Sequence, residues 1–191
     1  MNRREKQRLE TRRVLAEHAL RLFMEQGFDE TTVEEIAAAA GVSPRTFFLH
    51  FATKAAAAFP DHDDRVIAFT ERLGDGGVQP NPLQHLCEVL TLGLDVSSPS
   101  RRTRYRLLDQ VPALRDEDAR TDRDYEAVVA TYLLQAWGDT VETRVRAHAI
   151  ANTALGVVRA ALIAWGTDGI DPRQVSFEIL HRMVCSPFTP V

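Results

Sequence analysis

The sequence has few cysteines and no grouped metal-ligating side chains. Among its 191 residues only Cys87 and Cys185 carry thiols. They lie far apart in the chain, outside any Cys-x-x-Cys motif, and the six histidines are dispersed. This spacing predicts no metal site and no bound cofactor, and both cysteines are expected to be reduced thiols buried in the core.

The chain also lacks the short motifs on which common enzyme chemistries depend. It contains no glycine-rich phosphate loop, no Gly-x-Ser-x-Gly and no His-Glu-x-x-His, so an enzyme is not expected. No stretch approaches about 18 uninterrupted apolar residues, and the basic start MNRREKQRLETRR is not followed by an apolar segment. We therefore expect no membrane span, no secretory signal and a cytoplasmic protein.

What is present is ordinary for a folded chain, except for where the charges lie. Hydrophobic residues make up 45% of the sequence and charged residues 26%, a balance typical of globular domains. The net charge is -4, yet the first 13 residues carry six basic side chains against two acidic ones. This basic start is either an arm that meets phosphates or a solvated, frayed terminus. The mixed charges at 115–126 are interpreted as a solvated helix face.

Apolar residues recur at spacings of three and four almost throughout, which predicts an all-α protein. The first helix ends at Gly27, where a residue with positive φ is favoured. Its inward residues are expected to be Leu15, Ala19, Leu22 and Phe23. The next helix begins at Thr31 or Thr32, because each fits a capping box with the glutamate three residues later.

A glycine interrupts what would otherwise be one long helix. Gly41 ends the second helix after about nine residues, and Ser43 caps a third helix with Pro44 at its first position. Small Ala37 lets the two helices approach closely, and Phe47 fills the angle between them. This pattern is typical of a helix-turn-helix, here at about residues 32–51. The third helix turns Phe47 and Phe51 inward and presents outward Arg45, Thr46, Leu49 and His50.

The block FDETTVEEIAAAAGVSPRTFFLHFATKAAA, residues 28–57, resembles the N-terminal DNA-binding domain of TetR-family regulators. It is most similar to actinobacterial members that carry SPRTFF in the recognition helix, and the resemblance covers about residues 9–60. The matching residues are Phe28, Thr32, Ile36, Ala37, Gly41, Val42, Ser43, Thr46, His50, Phe51 and Lys54. The resemblance implies a regulator that binds double-stranded DNA and dimerises through its C-terminal helices.

This resemblance assigns roles to individual side chains. Arg45 is the candidate for reading guanine. Phe48 stands where most members have a tyrosine whose hydroxyl bonds a phosphate, so that bond is lost. Leu49 is either a contact to a thymine methyl group or an ordinary exposed leucine. Phosphate contacts are implied for Thr32, Thr46, His50 and Lys54, the last at the start of a fourth helix. The residues expected at the DNA are therefore Thr32, Ser43, Pro44, Arg45, Thr46, Phe48, Leu49, His50 and Lys54.

A change of organisation after residue 54 predicts two domains. Residues 1–54 form the DNA-binding domain, and residues 55–191 form a larger helical domain for regulation and dimerisation. Pro60 breaks the helix that opens at Lys54, and the glycines and prolines of 74–82 predict a loop. Gly166 is expected to stop a helix and Asp171-Pro172 to start one. The further helices are predicted at about 82–96, 99–111, 116–137, 139–165 and 172–184.

The most apolar segment, 147–165, must be covered on more than one side. With 172–184 it forms either a four-helix interface with a second subunit or the centre of a monomeric bundle. Polar residues of this domain are candidates for contacting an unknown small-molecule effector, or else they are satisfied core and interface groups. They are Tyr105, Asp109, Trp137, His148, Asn152 and Arg159.

The motif and the resemblance together predict a ligand-responsive repressor that binds a palindromic operator as a homodimer. The alternative is a DNA-binding regulator without small-molecule control, whose C-terminal domain serves only dimerisation or protein contacts.

Overall fold

The computed structural model describes residues 2–185, and within that range it contains helices and no strand. The prediction of an all-α fold is therefore confirmed. Cys87 is a buried thiol, as expected. The side chain of Cys185 lies outside the described part of the chain, so the expectation for that thiol stays a prediction.

Nine α-helices lie in the described range. They are α1 (Arg3–Gln26), α2 (Val33–Ala39), α3 (Pro44–His50), α4 (His62–Gly74), α5 (Pro82–Leu92), α6 (Pro99–Leu108), α7 (Pro112–Trp137), α8 (Val141–Asp168) and α9 (Pro172–Leu180). A 3-10 turn, Ala55–Ala58, precedes α4, and a π-helical turn, His181–Cys185, follows α9.

The chain divides into two compact units. The first comprises residues up to His62 together with Pro99–Asp118, and the second comprises Asp63–Ser98 and the residues from Ala119 onward. Helix α6 and the start of α7 thus belong with the helix-turn-helix. This division does not coincide with the boundary predicted after residue 54, because a segment distant in sequence completes the first unit.

The core of the first unit forms around α1, which packs against α2, α6 and the 3-10 turn. Leu15, Ala19 and Phe23 are buried as predicted, whereas Leu22 is only half-buried. The remaining buried residues of α1 are Ala16 and Leu20. The predicted inward residues of the helix-turn-helix, Phe47 and Phe51, are both buried.

In the second unit α8 packs against α5 and α9. By length and composition α8 could cross a membrane, but it buries Ala147, Leu155, Leu162 and Trp165 within the fold. It is a core helix.

Two local expectations for this region are wrong. Helix α8 does not stop at Gly166, which is buried within it, and ends instead at Gly169, whose φ of +77° is the left-handed cap conformation;. The segment 115–126 is not a wholly solvated face, because Glu117, Asp118 and Thr121 are buried.

Candidate nucleic-acid interface

The turn between α2 and α3 is a Schellman motif, which explains the glycine. Gly41 has a φ of +69°, a conformation that side chains disfavour;. The N–H of Val42 donates to the carbonyl of Ala37 at 2.9 Å, and the N–H of Gly41 donates to Ala38 at 3.1 Å. These two bonds satisfy carbonyls that α2 leaves open at its end. Helix α2 has seven residues, slightly fewer than predicted.

The start of α2 is fixed by one of the two predicted capping boxes. Thr32 Oγ1 accepts from the N–H of Glu35 at 3.2 Å, and Glu35 Oε2 accepts from the N–H of Thr32 at 2.8 Å. Two hydrogen bonds from Thr32 lower the pKa of Glu35. The bond from the backbone N–H has the larger effect, and the bond from the hydroxyl has the next largest. The alternative start at Thr31 is wrong, because Thr31 is buried and donates its hydroxyl to the carbonyl of Gly27 at 2.7 Å.

Helix α3 begins as the sequence predicts, with Ser43 as N-cap and Pro44 in the first turn. Ser43 Oγ accepts from the N–H of Thr46 at 3.1 Å and lies 2.9 Å from the Thr46 hydroxyl. Of the residues predicted to face DNA, Arg45 and Leu49 are exposed and Thr46 is half-buried. The hydroxyls at the start of α3 therefore bond chiefly to each other.

His50, at the end of α3, is half-buried, and its Nδ1 atom is buried without a hydrogen-bond partner. The pKa of this imidazole is lowered mainly by burial and to a smaller extent by the positive charges of Arg12 and Arg8. The neutral ring is thus favoured, and it offers a phosphate one N–H donor in place of a positive charge.

The ammonium of Lys54 bonds to carbonyls of its own chain, a different partner from the phosphate that the family resemblance implies. Its Nζ atom donates to the carbonyls of Phe28 at 2.5 Å and Thr31 at 2.7 Å. It also lies 4.2 Å from the centroid of the Phe28 ring. Lys54 caps the 3-10 turn Ala55–Ala58 instead of opening a fourth α-helix. The side chain holds the loop between α1 and α2.

Arg12 is a structural residue of this site that the sequence analysis assigned only to the basic start. Its Nε atom donates to the carbonyl of Pro60 at 2.7 Å, and its guanidinium also donates to the carbonyl of His50. The guanidinium lies 4.4 Å from the centroid of the Phe51 ring. Arg12 thereby ties the end of α3 to α1. The sequence feature that could have predicted this role is the position of Arg12 three residues before buried Leu15, on the inward side of α1.

The remaining basic start is helical and exposed to solvent. Asn2 and Glu5 form a capping box, and α1 begins at Arg3. Arg13 is paired with Glu10 at 2.6 Å and with Glu17. The exposed basic residues nearer the terminus are Arg3, Arg4, Lys6 and Arg8.

The residues predicted to contact an effector are divided between the two units. Tyr105 and Asp109 belong to the first unit, where Tyr105 is buried and Asp109 exposed. The other four belong to the second unit, where the guanidinium of Arg146 lies 4.5 Å from the Trp137 ring centroid.

The predicted polar stripe of α8 bonds to acidic residues of α7. His148 Nδ1 lies 3.1 Å from Glu126 Oε1, and Asn152 Nδ2 donates to the same oxygen at 2.7 Å. The His148 bond is the largest cause that lowers the pKa of Glu126. Arg159 forms an ion pair with Asp122. These side chains join two helices, as expected of satisfied interface groups, and their contact with an effector stays a prediction.

An open, mostly apolar groove of about 460 Å³ runs along α8 and α9. It is lined by Asn152, Thr153, Gly156, Val157, Ala160, Ala161, Ala164, Val175, Ile179 and Met183. These are the two helices for which the sequence leaves open a subunit interface or the centre of a monomeric bundle.

Comparison with known proteins agrees with the helix-turn-helix geometry. Residues 15–56 match the family described as "Bacterial regulatory proteins, tetR family". The HTH-type transcriptional regulator TcmR of Streptomyces glaucescens is 30% identical over 164 residues, which cover 81% of this chain and 73% of TcmR.

Solved structures share the fold over nearly the whole chain. NalD of Pseudomonas aeruginosa, the secondary repressor of the MexAB-OprM multidrug efflux pump, has a TM-score of 0.62 at 22% identity, over 94% of this chain and 98% of NalD. Thermus thermophilus FadR, a transcriptional repressor solved with lauroyl-CoA, has a TM-score of 0.55 at 21% identity, over 94% of this chain and 99% of FadR. With its helix-turn-helix, its family match and its similarity to TcmR, this chain belongs to the TetR family of DNA-binding transcriptional regulators.

Proposed function

We propose that this regulator is a ligand-responsive repressor that binds a palindromic operator as a homodimer in the cytoplasm. The observation that carries the proposal is the exposed outer side of α3, which the Schellman turn at Gly41 and the contacts of Arg12 hold in place. Arg45 is exposed on that side. Its guanidinium can bond guanine O6 and N7 together, for about 1–3 kcal/mol of discrimination.

Phosphate contacts surround this reading side chain. The exposed basic residues at the start of α1 supply positive charge, while Thr46 and His50 offer hydroxyl or imidazole donors. The Thr32 hydroxyl would reach a phosphate by exchanging its bond to Glu35. Ser43 and Pro44 start α3 and bring the backbone close to the DNA. We assign Lys54 to holding the α1–α2 loop, because its ammonium bonds two carbonyls there. These contacts fix the position of α3 without reading sequence.

A homodimer formed through α8 and α9 would explain why the operator is palindromic. The groove along these helices leaves apolar side chains open, including Met183, which is 60% exposed, and Ile179, which is 39% exposed. Packing the same pair of helices from two chains would cover them in an isologous four-helix contact. Two recognition helices about 34–36 Å apart then meet two half-sites on one side of the duplex.

Ligand control is supported by the shared fold of FadR, which was solved with lauroyl-CoA. An effector must bind the DNA-released state more tightly than the DNA-bound state, because equal affinity shifts no equilibrium. The contacts of α8 to Glu126 and Asp122 favour the second candidate, a regulator whose C-terminal helices serve only dimerisation or protein contacts. The two candidates share the same DNA-binding side.

Selection of bound sequences from random duplex DNA tests this proposal. We expect a palindromic operator whose binding weakens steeply with salt. Arg45→Ala should remove the preference at one base pair in each half-site, by about 1–3 kcal/mol, with binding elsewhere along the site retained. Arg115→Ala, an exposed arginine of α7, is the matched control. If no sequence is enriched, or if Arg45→Ala selects the same operator, the assigned side of α3 is wrong.

A further inference from the structure

The outer side of α3 carries two apolar side chains beside Arg45. Leu49 is 74% exposed and Phe48 is 56% exposed. The hydroxyls that precede them, on Ser43 and Thr46, lie 2.9 Å apart and bond to each other. The exposed side chains on this side of α3 beyond its first turn are therefore apolar and lie next to one guanidinium.

The two apolar side chains differ in how they are held. The Phe48 ring packs edge-on against buried Phe47, with centroids 5.5 Å apart and planes at 85°. Leu49 stands one residue further along and is the more exposed of the two. Because Arg45 and Leu49 are four residues apart in a helix, they lie on the same side of α3. A duplex that meets Arg45 also meets Leu49.

The C5-methyl of thymine is the base-edge group of the major groove that best matches a leucine. It is apolar and projects into the groove, whereas cytosine presents only a smaller C5–H there and the distinguishing groups of the other bases are hydrogen-bond donors or acceptors. Leucine placed over a donor or acceptor would remove water from it without replacing the hydrogen bond, which is unfavourable. Leucine placed against the methyl removes apolar surface from water on both partners.

We propose that Leu49 determines specificity by contacting the C5-methyl of a thymine in each half-site, with the Phe48 ring bounding one side of that contact. This inference rests on the proposed function, since it requires α3 to lie in the major groove. It identifies one base of each half-site as a thymine, at a position that Arg45 does not contact.

Replacing single thymines by deoxyuridine tests this contact, because the exchange removes the methyl group and keeps the base pair. The selected operator is substituted at one thymine position at a time, in both half-sites together, and binding to the full chain is measured. At one position we expect wild-type affinity to fall about fourfold per half-site, or about 16-fold overall, as for one buried methyl group. Leu49→Ala should bind the thymine and deoxyuridine operators equally.

Leu92→Ala is the matched control, since Leu92 is a leucine of α5 with 80% exposure; it should keep the wild-type difference between the two operators. Equal wild-type affinity for thymine and deoxyuridine at every position would overturn the inference while leaving the proposed function intact. A difference that persists in Leu49→Ala would also overturn it. Failure of the wild-type chain to prefer any duplex would instead overturn the proposed function, and the inference with it.

Discussion

The ammonium group of Lys54 closes the loop that leads into the helix-turn-helix. It bonds the carbonyls of Phe28 and Thr31 across 26 and 23 residues of chain. The two carbonyls lie four residues and one residue before the N-cap Thr32, so the lysine holds the loop that leads into α2. We therefore expect Lys54 to affect DNA binding by holding α2 and α3 in position. Its charge should add little to the attraction of phosphates.

Lys54→Met keeps the aliphatic stem and its packing on Phe28 while removing the donors. We expect the free energy of unfolding to fall by about 1–3 kcal/mol, as for hydrogen bonds that involve a charged group, measured by urea denaturation. The salt slope of DNA binding should not change. The matched control is Lys6→Met on exposed α1, which should leave stability alone and reduce the salt slope by about 0.9 per subunit, or about 1.8 for the dimer. A smaller salt slope for Lys54→Met with unchanged stability would show that Lys54 contacts a phosphate.

At the scale of elements, Gly41 decides whether residues 32–51 form one helix or two. Its φ is +69°, and a Cβ atom added there would meet nothing within 4 Å. The cost of a side chain is therefore conformational, with no steric clash. Gly41→Ala should reduce the free energy of unfolding by about 1–2 kcal/mol. Gly74→Ala, the control in α4, has equal space and no positive φ, and should be neutral or stabilising by up to about 1 kcal/mol. Equal changes at both glycines in denaturant melts would contradict the role given to Gly41.

The elements that the sequence predicted well are those with local signals. Ser43-Pro44 and the Thr32–Glu35 capping box each lie within one helical turn, so the helix-turn-helix could be placed almost residue by residue. The stop at Gly166 was wrong because two glycines, 166 and 169, compete there. Gly166 is buried within α8 and Gly169 takes the left-handed cap conformation, a choice that depends on packing that a local pattern does not contain.

At the scale of the whole molecule, the sequence did not predict side-chain contacts between residues that lie far apart in the chain. The polar stripe His148, Asn152 and Arg159 was evident from helical spacing, yet its acidic partners lie 22–37 residues away. Those partners, Glu126 and Asp122, come from a segment that was interpreted as solvated. Spacing identifies which residues share a helix side, whereas the identity of the opposing helix depends on the fold of the entire unit.

The dimer proposal makes a prediction at this same scale. Ala160 is exposed on α8 and lines the apolar groove along α9. Ala160→Glu would place a carboxylate at the centre of the proposed contact, where burying an unpaired charge costs several kcal/mol. We expect the dimer dissociation constant to rise at least about 100-fold, in line with about 2.7 kcal/mol or more, as measured by sedimentation. The variant should lose high affinity for the palindrome and keep weak binding to one half-site.

Ala127→Glu separates this effect from the addition of charge alone. Ala127 is exposed on α7 and does not line the groove, so its glutamate stays in water and the dimer should persist. Circular dichroism should show native helix content for both variants, because both sites are exposed in the isolated chain. A dimeric Ala160→Glu would place the subunit contact elsewhere on the molecule. A monomeric Ala160→Glu that still binds the palindrome as tightly as wild type would separate dimerisation from operator recognition, and the isologous contact of α8 and α9 would lose its link to the palindrome.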